Sequence, residues 1–477
     1  MERILSSAQM KSADEFTINN LGVPSDVLIE RAGRAVAEVI KKRLRGGRVL
    51  VCIGKGNNGE DGKIIAKILS SYHGFSVWSL NVSNGIFKMF EKKFDIIVDC
   101  IFGTGLNREV DGKYKTAIDN INSSGAYVVS CDIPSGLNAD TGKPMGACIK
   151  ANLTVAIQEY KLGHFLNDGP DYSGEVIAKD IGISIWGEDY SKKLTDSSVA
   201  KYFQKPKRNV NKGSFGKVAI IGGSKEYSGS AILSQQAISA LKMGNGYSHL
   251  CVPESLFSVV AGINPECIIK VFPETDGKIK YSTEILDTLL NFDAIAIGMG
   301  MGKSEEVYKT ICYLIANYKG RLLIDADGLN CLAEYGLDVL LKKSCDIVLT
   351  PHVGEFARLL KINKEEVVNN FIPLAKDFAK KYGVTVNVKS SASIITDGTE
   401  VYINTVGCSG MAKAGSGDVL SGITAGILAK GKDFTESVAV SAYLFGKAGE
   451  IAEKNACSFT LTATDVINAL PSAIKSL

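Results

Sequence analysis

A chain of 477 residues exceeds what one hydrophobic core ordinarily organises, so two or three domains are expected. Lys and Arg number 54 against 51 Asp and Glu, a net charge of +3. With no basic stripe interleaved with aromatics, that balance argues against a nucleic-acid partner. The 11 cysteines form no CxxC pair, and the four histidines show no metal-ligand spacing, so neither a disulfide framework nor a zinc centre is expected. Cys52, Cys100 and Cys131 lie in apolar runs, where a thiol acts as a small hydrophobe. No apolar run approaches membrane-spanning length and the N-terminus lacks an apolar leader core, so a soluble cytoplasmic protein without a membrane partner is expected.

Taken in order, Ser25 to Leu44 has the apolar spacing of one amphipathic helix. The run Val49 to Ile53 is too short for a helix and suits a buried parallel strand; a loop Gly54 to Gly62 and a helix from Lys63 follow. This is the general form of a nucleotide-binding crossover, but it lacks a P-loop ending and the dinucleotide fingerprint. Its Asn57, Asn58 and Asp61 are unusual, although the segment would also suit a plain surface turn. Two more strands, Ile96 to Ile101 and Tyr127 to Cys131, run into Gly103-Thr104-Gly105 and into Asp132-Ile133-Pro134-Ser135-Gly136. Ligands of open α/β sheets gather at carboxyl ends of strands, so these loops are expected to converge on one pocket. Asp99 inside an apolar strand is costly unless paired, hydrogen-bonded or bound to a cation. Asn58 and Ser135 would supply oxygens for a hard cation; a turn-capping role for Asp99 is the alternative.

After strands Leu153 to Ile157 and Glu175 to Asp180, the pattern breaks between Trp186 and Phe215 into a polar, basic linker. A second series of strands and helices starts at Val218. It places Gly298, Gly300 and Gly302, then Asp325 and Asp327, then His352 and Glu355, then Lys389 to Ser393 after successive strands. The stretch Gly407 to Gly422, GCSGMAKAGSGDVLSG, closes a strand and opens a helix. Gly415-Ser416-Gly417 therefore lies at a helix N-terminus, where free N–H groups and the dipole favour an anion. Asp418 beside such a cradle could take a proton from a hydroxyl attacking a phosphate, or could simply cap the helix. Alternation throughout predicts an α/β fold in two domains, 1–200 and 214–477, joined by 201–213.

Eight ordered motifs carry a family resemblance. GKGNNGEDG (Gly54 to Gly62), VDCIFGTGL (Val98 to Leu106) and DIPSGLNADTG (Asp132 to Gly142) resemble the epimerase domain that acts on hydrated NADH and NADPH, a Rossmann-like three-layer sandwich. GGSKEYSG (Gly222 to Gly229), GMGMG (Gly298 to Gly302), DADGLN (Asp325 to Asn330), TPHVGEFARL (Thr350 to Leu359) and AGSGDVLSG (Ala414 to Gly422) resemble the ribokinase-like dehydratase of the same hydrates. Together the two halves resemble the bifunctional NAD(P)H-hydrate repair family.

The resemblance implies that the first domain binds its substrate through Asn57, Asn58, Gly59, Glu60 and Asp61, through Gly103, Thr104, Gly105, Leu106, Asn107, Arg108 and Glu109, and through Asp132. It implies potassium on Asn58, Asp99 and Ser135, and Asp132 is the candidate acid/base. In the second domain it implies substrate contacts from Ser230, Gly300, His352 and Asp418. The nucleotide maps onto Lys389, Ser390, Ser391, Ala392, Ser393 and Gly417, with magnesium accompanying ADP and Asp418 as the base. ADP is inferred from the fused architecture. Glu60 stands where the family commonly has glycine, Met299 replaces a common proline, Ala414 a common glycine and Ser230 a common alanine. A small-molecule kinase carrying an N-terminal interaction module is the rival reading, and a homo-oligomer is expected.

Overall fold

The apolar runs of the N-terminal half become a six-stranded sheet in the order Phe75–Asn81, Gly47–Ile53, Ile96–Cys100, Tyr127–Cys131, Leu153–Ile157, Glu175–Lys179. Every neighbouring pair is parallel. Strands covered on both faces need apolar residues on both, which is why Ile96–Cys100 is buried throughout. One face packs on the helices Ser25–Arg43 and Asn57–Ser70, the other on Gly112–Ser123. The chain leaves Gly47–Ile53 toward one side of the sheet and returns to Ile96–Cys100 on the other. In open α/β sheets the ligand crevice lies outside the strand ends where the winding reverses in this way. The computed structural model describes all residues except 86–87, 188, 239–242 and 264.

One expectation is corrected here. The helix expected from Lys63 starts at Asn57, with Gly56 as its N-cap, so Asn57 to Gly62 is helical rather than looped. Asparagine and glycine are weak helix formers, but close packing outweighs propensity. A Cβ on Gly59 would lie 2.3 Å from the Gly54 carbonyl oxygen, and one on Gly62 would lie 2.8 Å from Cys100 Cβ. Only a glycine-rich first turn brings the helix N-terminus down onto the strand ends.

The chain divides into two compact units, Arg3–Ser191, and Lys192–Leu477 with Met1–Glu2. In the larger unit the strands run Ile268–Phe272, Tyr247–Pro253, Lys217–Ile221, Ala294–Ile297, Arg321–Ile324, Asp346–Leu349 and Thr385–Val388, all parallel. Ser393–Thr396 and Val401–Asn404 then add antiparallel. The buried helices Ser416–Leu428 and Phe434–Asn455 cover one face. Here the winding reverses between Lys217–Ile221 and Ala294–Ile297. Residues 192–200, expected to finish the first domain, group with this larger unit. Leu194, Val199 and Tyr202 are buried in its core, so three apolar anchors override the polar composition that suggested a linker.

Candidate active sites

In the N-terminal unit, the loops after three adjacent strands meet around Asp99. Its carboxylate is fully buried and accepts from Ser135 N at 2.8 Å, Ser135 Oγ at 2.5 Å, Ser130 Oγ at 2.9 Å and Ile101 N at 3.2 Å. Burial nevertheless pushes its pKa upward, against the pull of those bonds. Asn58 Nδ2 donates to the carbonyls of Phe102 at 2.7 Å and Cys131 at 3.2 Å, while its Oδ1 is buried without a hydrogen-bond partner. Gly103 abuts the Asn58 side chain, whereas Asn57, Gly105, Asn107, Arg108 and Glu109 point their surface to solvent along the rim. Thr104 and Leu106 are half-buried between them.

Two further carboxyl groups lie close enough to each other to interact through their charges. Asp61, in the first turns of the Asn57–Ser70 helix, is pushed up to about 8, chiefly by burial and then by the charges of Asp132, Glu60 and Asp14. That shift favours the protonated carboxylic acid at neutral pH. Asp132 adopts a φ of +67°. Its Oδ1 accepts from Ile157 N at 3.0 Å and from Lys161 Nζ, and its carbonyl accepts from His164 Nε2 at 2.9 Å. Lys161 and His164 were not singled out in the sequence. The Lys-Leu-Gly-His run after Tyr160 has no periodicity or spacing that flags it. Glu60 turns outward to Lys63 at 2.7 Å and reaches the site only through its charge.

In the C-terminal unit the helix Ser416–Leu428 starts from Gly415, whose φ is +88°. Among the described residues, the Gly417 and Asp418 N–H groups have no backbone acceptor outside that helix. A Cβ on Gly417 would lie 3.5 Å from Lys389 Nζ and 4.0 Å from Asp325 Oδ2. An ammonium thus flanks the anion turn, held by Asp325 at 2.8 Å. Asp325 is itself buried and takes a second bond from Ser421 Oγ at 2.6 Å. Asp418 is pushed up to about 6, first by burial and next by the Asp325 charge, while the Ser230 hydroxyl bonded to it pulls the other way. Gly300, at φ +63°, leaves room for Ser230, since a Cβ there would lie 2.8 Å from Ser230 Cβ.

His352 caps the helix Val353–Leu360. Its Nδ1 accepts from Gly354 N at 2.9 Å, which leaves the proton on the exposed Nε2. Glu355 closes the capping box by accepting from His352 N at 2.8 Å. His352 also bridges in parallel to Lys389, which ties the cap to the anion turn. Of the run expected to hold nucleotide, Lys389 reaches that turn. Ser390 and Ser393 use their hydroxyls on Ala392 O at 2.7 Å and Ser390 O at 3.4 Å, around a buried Ala392, and Ser391 is exposed. Asp325 and Ser421 were not assigned from sequence. The position of Asp325 at a strand end was the available signal.

The profile of the family described as NAD(P)H-hydrate dehydratase matches residues 218–472, and that described as YjeF-related protein N-terminus matches 25–89 and 80–163. The bifunctional NAD(P)H-hydrate repair enzyme of Thermofilum pendens is 32% identical over 100% of this chain and 97% of its own. The chain belongs to the bifunctional NAD(P)H-hydrate repair enzyme family. The enzyme of the same name from Dictyoglomus turgidum is also 32% identical, over 100% of this chain and 99% of its own. The family joins an epimerase to a dehydratase, and this full-length match displaces the small-molecule kinase reading. A solved ribokinase-like superfamily protein from Enterococcus faecalis is 26% identical, covering 60% of this chain and 96% of its own with a TM-score of 0.53. The ADP/ATP-dependent NAD(P)H-hydrate dehydratase of Bacillus subtilis, co-crystallised with ATP and Mg²⁺, shares the fold at 23% identity. It covers 59% of this chain and 97% of its own, with a TM-score of 0.51.

Proposed function

We propose that the unit Arg3–Ser191 interconverts the R and S hydrates of NADH and NADPH, and that the larger unit dehydrates the S form at the expense of ADP, giving AMP and phosphate. The observation that carries the reading is the half-buried Asp418 held beside an anion turn and a paired lysine. Asp418 takes the proton of the substrate hydroxyl as its oxygen attacks the β-phosphorus of ADP, and the bond to AMP breaks. Lys389 and the Gly417 turn oppose the charge that gathers on the moving phosphoryl group. Phosphate then leaves the ring carbon with its bonding electrons, and passage of the neighbouring carbon's proton to the departing phosphate restores the dihydropyridine. Ser230 orients Asp418, and His352 offers its Nε2–H to the substrate.

Magnesium would be brought by the ADP phosphates and would offset their charge. Asp325 and Glu355 already carry hydrogen bonds, which fits an ion held mostly by phosphate and water. In the other unit, a buried and unpaired Asn58 Oδ1 beside Asp99 and Ser135 is an all-oxygen donor set that fits potassium. That ion would supply a fixed positive charge at the pocket floor. For epimerisation, Asp61 donates a proton to the hydroxyl as the carbon–oxygen bond breaks and the ring nitrogen lone pair takes up the positive charge. Water adds to the opposite face, its surplus proton passes to Asp132, and transfer from Asp132 to Asp61 resets the site.

The reading extends to a cytoplasmic homo-oligomer with no nucleic-acid or membrane partner. All 11 cysteines are free, and no described helix is long and apolar enough to cross a membrane. Exposed Phe257, Val259 and Ile263 precede the edge strand Ile268–Phe272, which supports self-association. The test is absorbance at the NADH band after mixing the protein with hydrated NADH, magnesium and either ADP or ATP. Recovery with ADP is the expected result, and fast use of both epimers reports the first unit. No recovery with either nucleotide overturns the dehydratase reading. Gly300→Ala should lower dehydratase kcat/KM about tenfold, because the added Cβ meets Ser230 and the positive φ disfavours it, costs of about 1–2 kcal/mol. Steady-state kinetics of both half-reactions check it, with epimerisation unchanged.

A further inference from the structure

We propose that Lys161 is a positioning residue of the epimerase, aiming one oxygen of Asp132 at the substrate. The proposal rests on reading the Arg3–Ser191 unit as the epimerase. Lys161 is 1% exposed, a depth at which an ammonium is costly without partners. Its Nζ donates to Asp132 Oδ1 and, at 2.6 Å, to the Ile157 carbonyl. Ile157 N donates to the same Oδ1 at 3.0 Å. Both described partners of this carboxylate therefore fall on Oδ1, which leaves Oδ2 without a described partner and available to substrate.

The backbone is gripped as well. Lys161 N donates to His164 Nδ1 at 3.1 Å, which fixes the tautomer that donates from Nε2 to the Asp132 carbonyl at 2.9 Å. The turn from Lys161 to His164 thus clamps both ends of a residue whose left-handed backbone is costly for a non-glycine side chain. The clamp has a rigid base. Tyr160–Lys161 pairs in parallel with Ile4 and Leu5, and Leu5 is buried. A counter-charge serving stability alone would not require the lysine and the preceding strand end to converge on one carboxylate oxygen while the histidine holds the carbonyl of the same residue.

The experiment compares epimerase kcat and KM of the full chain with those of Lys161→Met and Lys161→Gln, with limited proteolysis and thermal unfolding of the full chain as the folding control. Lys161→Met is expected to lose about a hundredfold in kcat, within the span of a positioned acid/base, with KM within about threefold. Lys161→Gln keeps a donor for Asp132 and is expected to lose about tenfold. It carries the test if the methionine variant does not fold. Adding Lys161→Met to Asp132→Asn should cost nothing further, because a residue acting through Asp132 has nothing left to aim. Unchanged kcat, or a rise in KM that accounts for the whole loss, overturns the positioning role. A wild-type chain that does not epimerise at all overturns the underlying reading and the proposal together.

Discussion

Asp418→Asn is expected to lower dehydratase turnover by about three orders of magnitude while leaving epimerisation intact. Asparagine keeps the size and the acceptor for Ser230 but cannot take the hydroxyl proton, so the whole base contribution of about 10²–10⁴ is lost. The pH dependence separates this from a binding defect. Burial and the Asp325 charge raise Asp418 to about 6, so its carboxylate form dominates above that pH and disappears below it. Wild-type dehydratase kcat/KM should therefore fall tenfold per pH unit below about 6 and be flat above it until another group titrates. In the asparagine variant the residual rate should lack that limb. A variant that keeps both its rate and its acid limb would remove Asp418 from the proton transfer.

The sheets were legible because buried parallel strands leave short, uninterrupted apolar runs, and Tyr127–Cys131 and Leu153–Ile157 begin and end where their composition changes. The helix at Asn57 was not legible. Its first turn is written in residues that avoid helices, and the contacts that stabilise it belong to Gly54, five residues before Gly59, and to Cys100 in another strand. The place of Asp418 in the first turn of its helix was legible because the glycine-rich stretch closes a strand and opens an apolar helical pattern. Asp325 stood at an informative place, but its role depends on Lys389 and Ser421, 64 and 96 residues away in sequence. Lys161 shows the same limit, since nothing local distinguishes a buried lysine from a solvated one.

For Asp132, that hidden lysine decides which substitution is informative. Asp132→Ala would leave Lys161 as a buried ammonium without its counter-charge, and removing one partner of such a pair costs roughly 3–5 kcal/mol. Lost activity would then report unfolding as readily as chemistry. Asp132→Asn retains an acceptor for Lys161 and for Ile157 N, so the fold is expected to survive while epimerisation falls by about 10²–10⁴. Asp61 supplies a second readout. Its carboxyl is raised to about 8 in part by the Asp132 charge, so removing that charge lowers it. Wild-type epimerisation needs Asp61 protonated and should decline as pH rises through about 8, and in Asp132→Asn the decline should begin at lower pH. Stopped-flow or chromatographic resolution of the two hydrates across pH 6 to 10 follows both effects. A wild-type rate that is flat through about 8 would show that Asp61 is not the acid, whereas an unchanged rate in Asp132→Asn would show that Asp132 takes no part in the proton cycle.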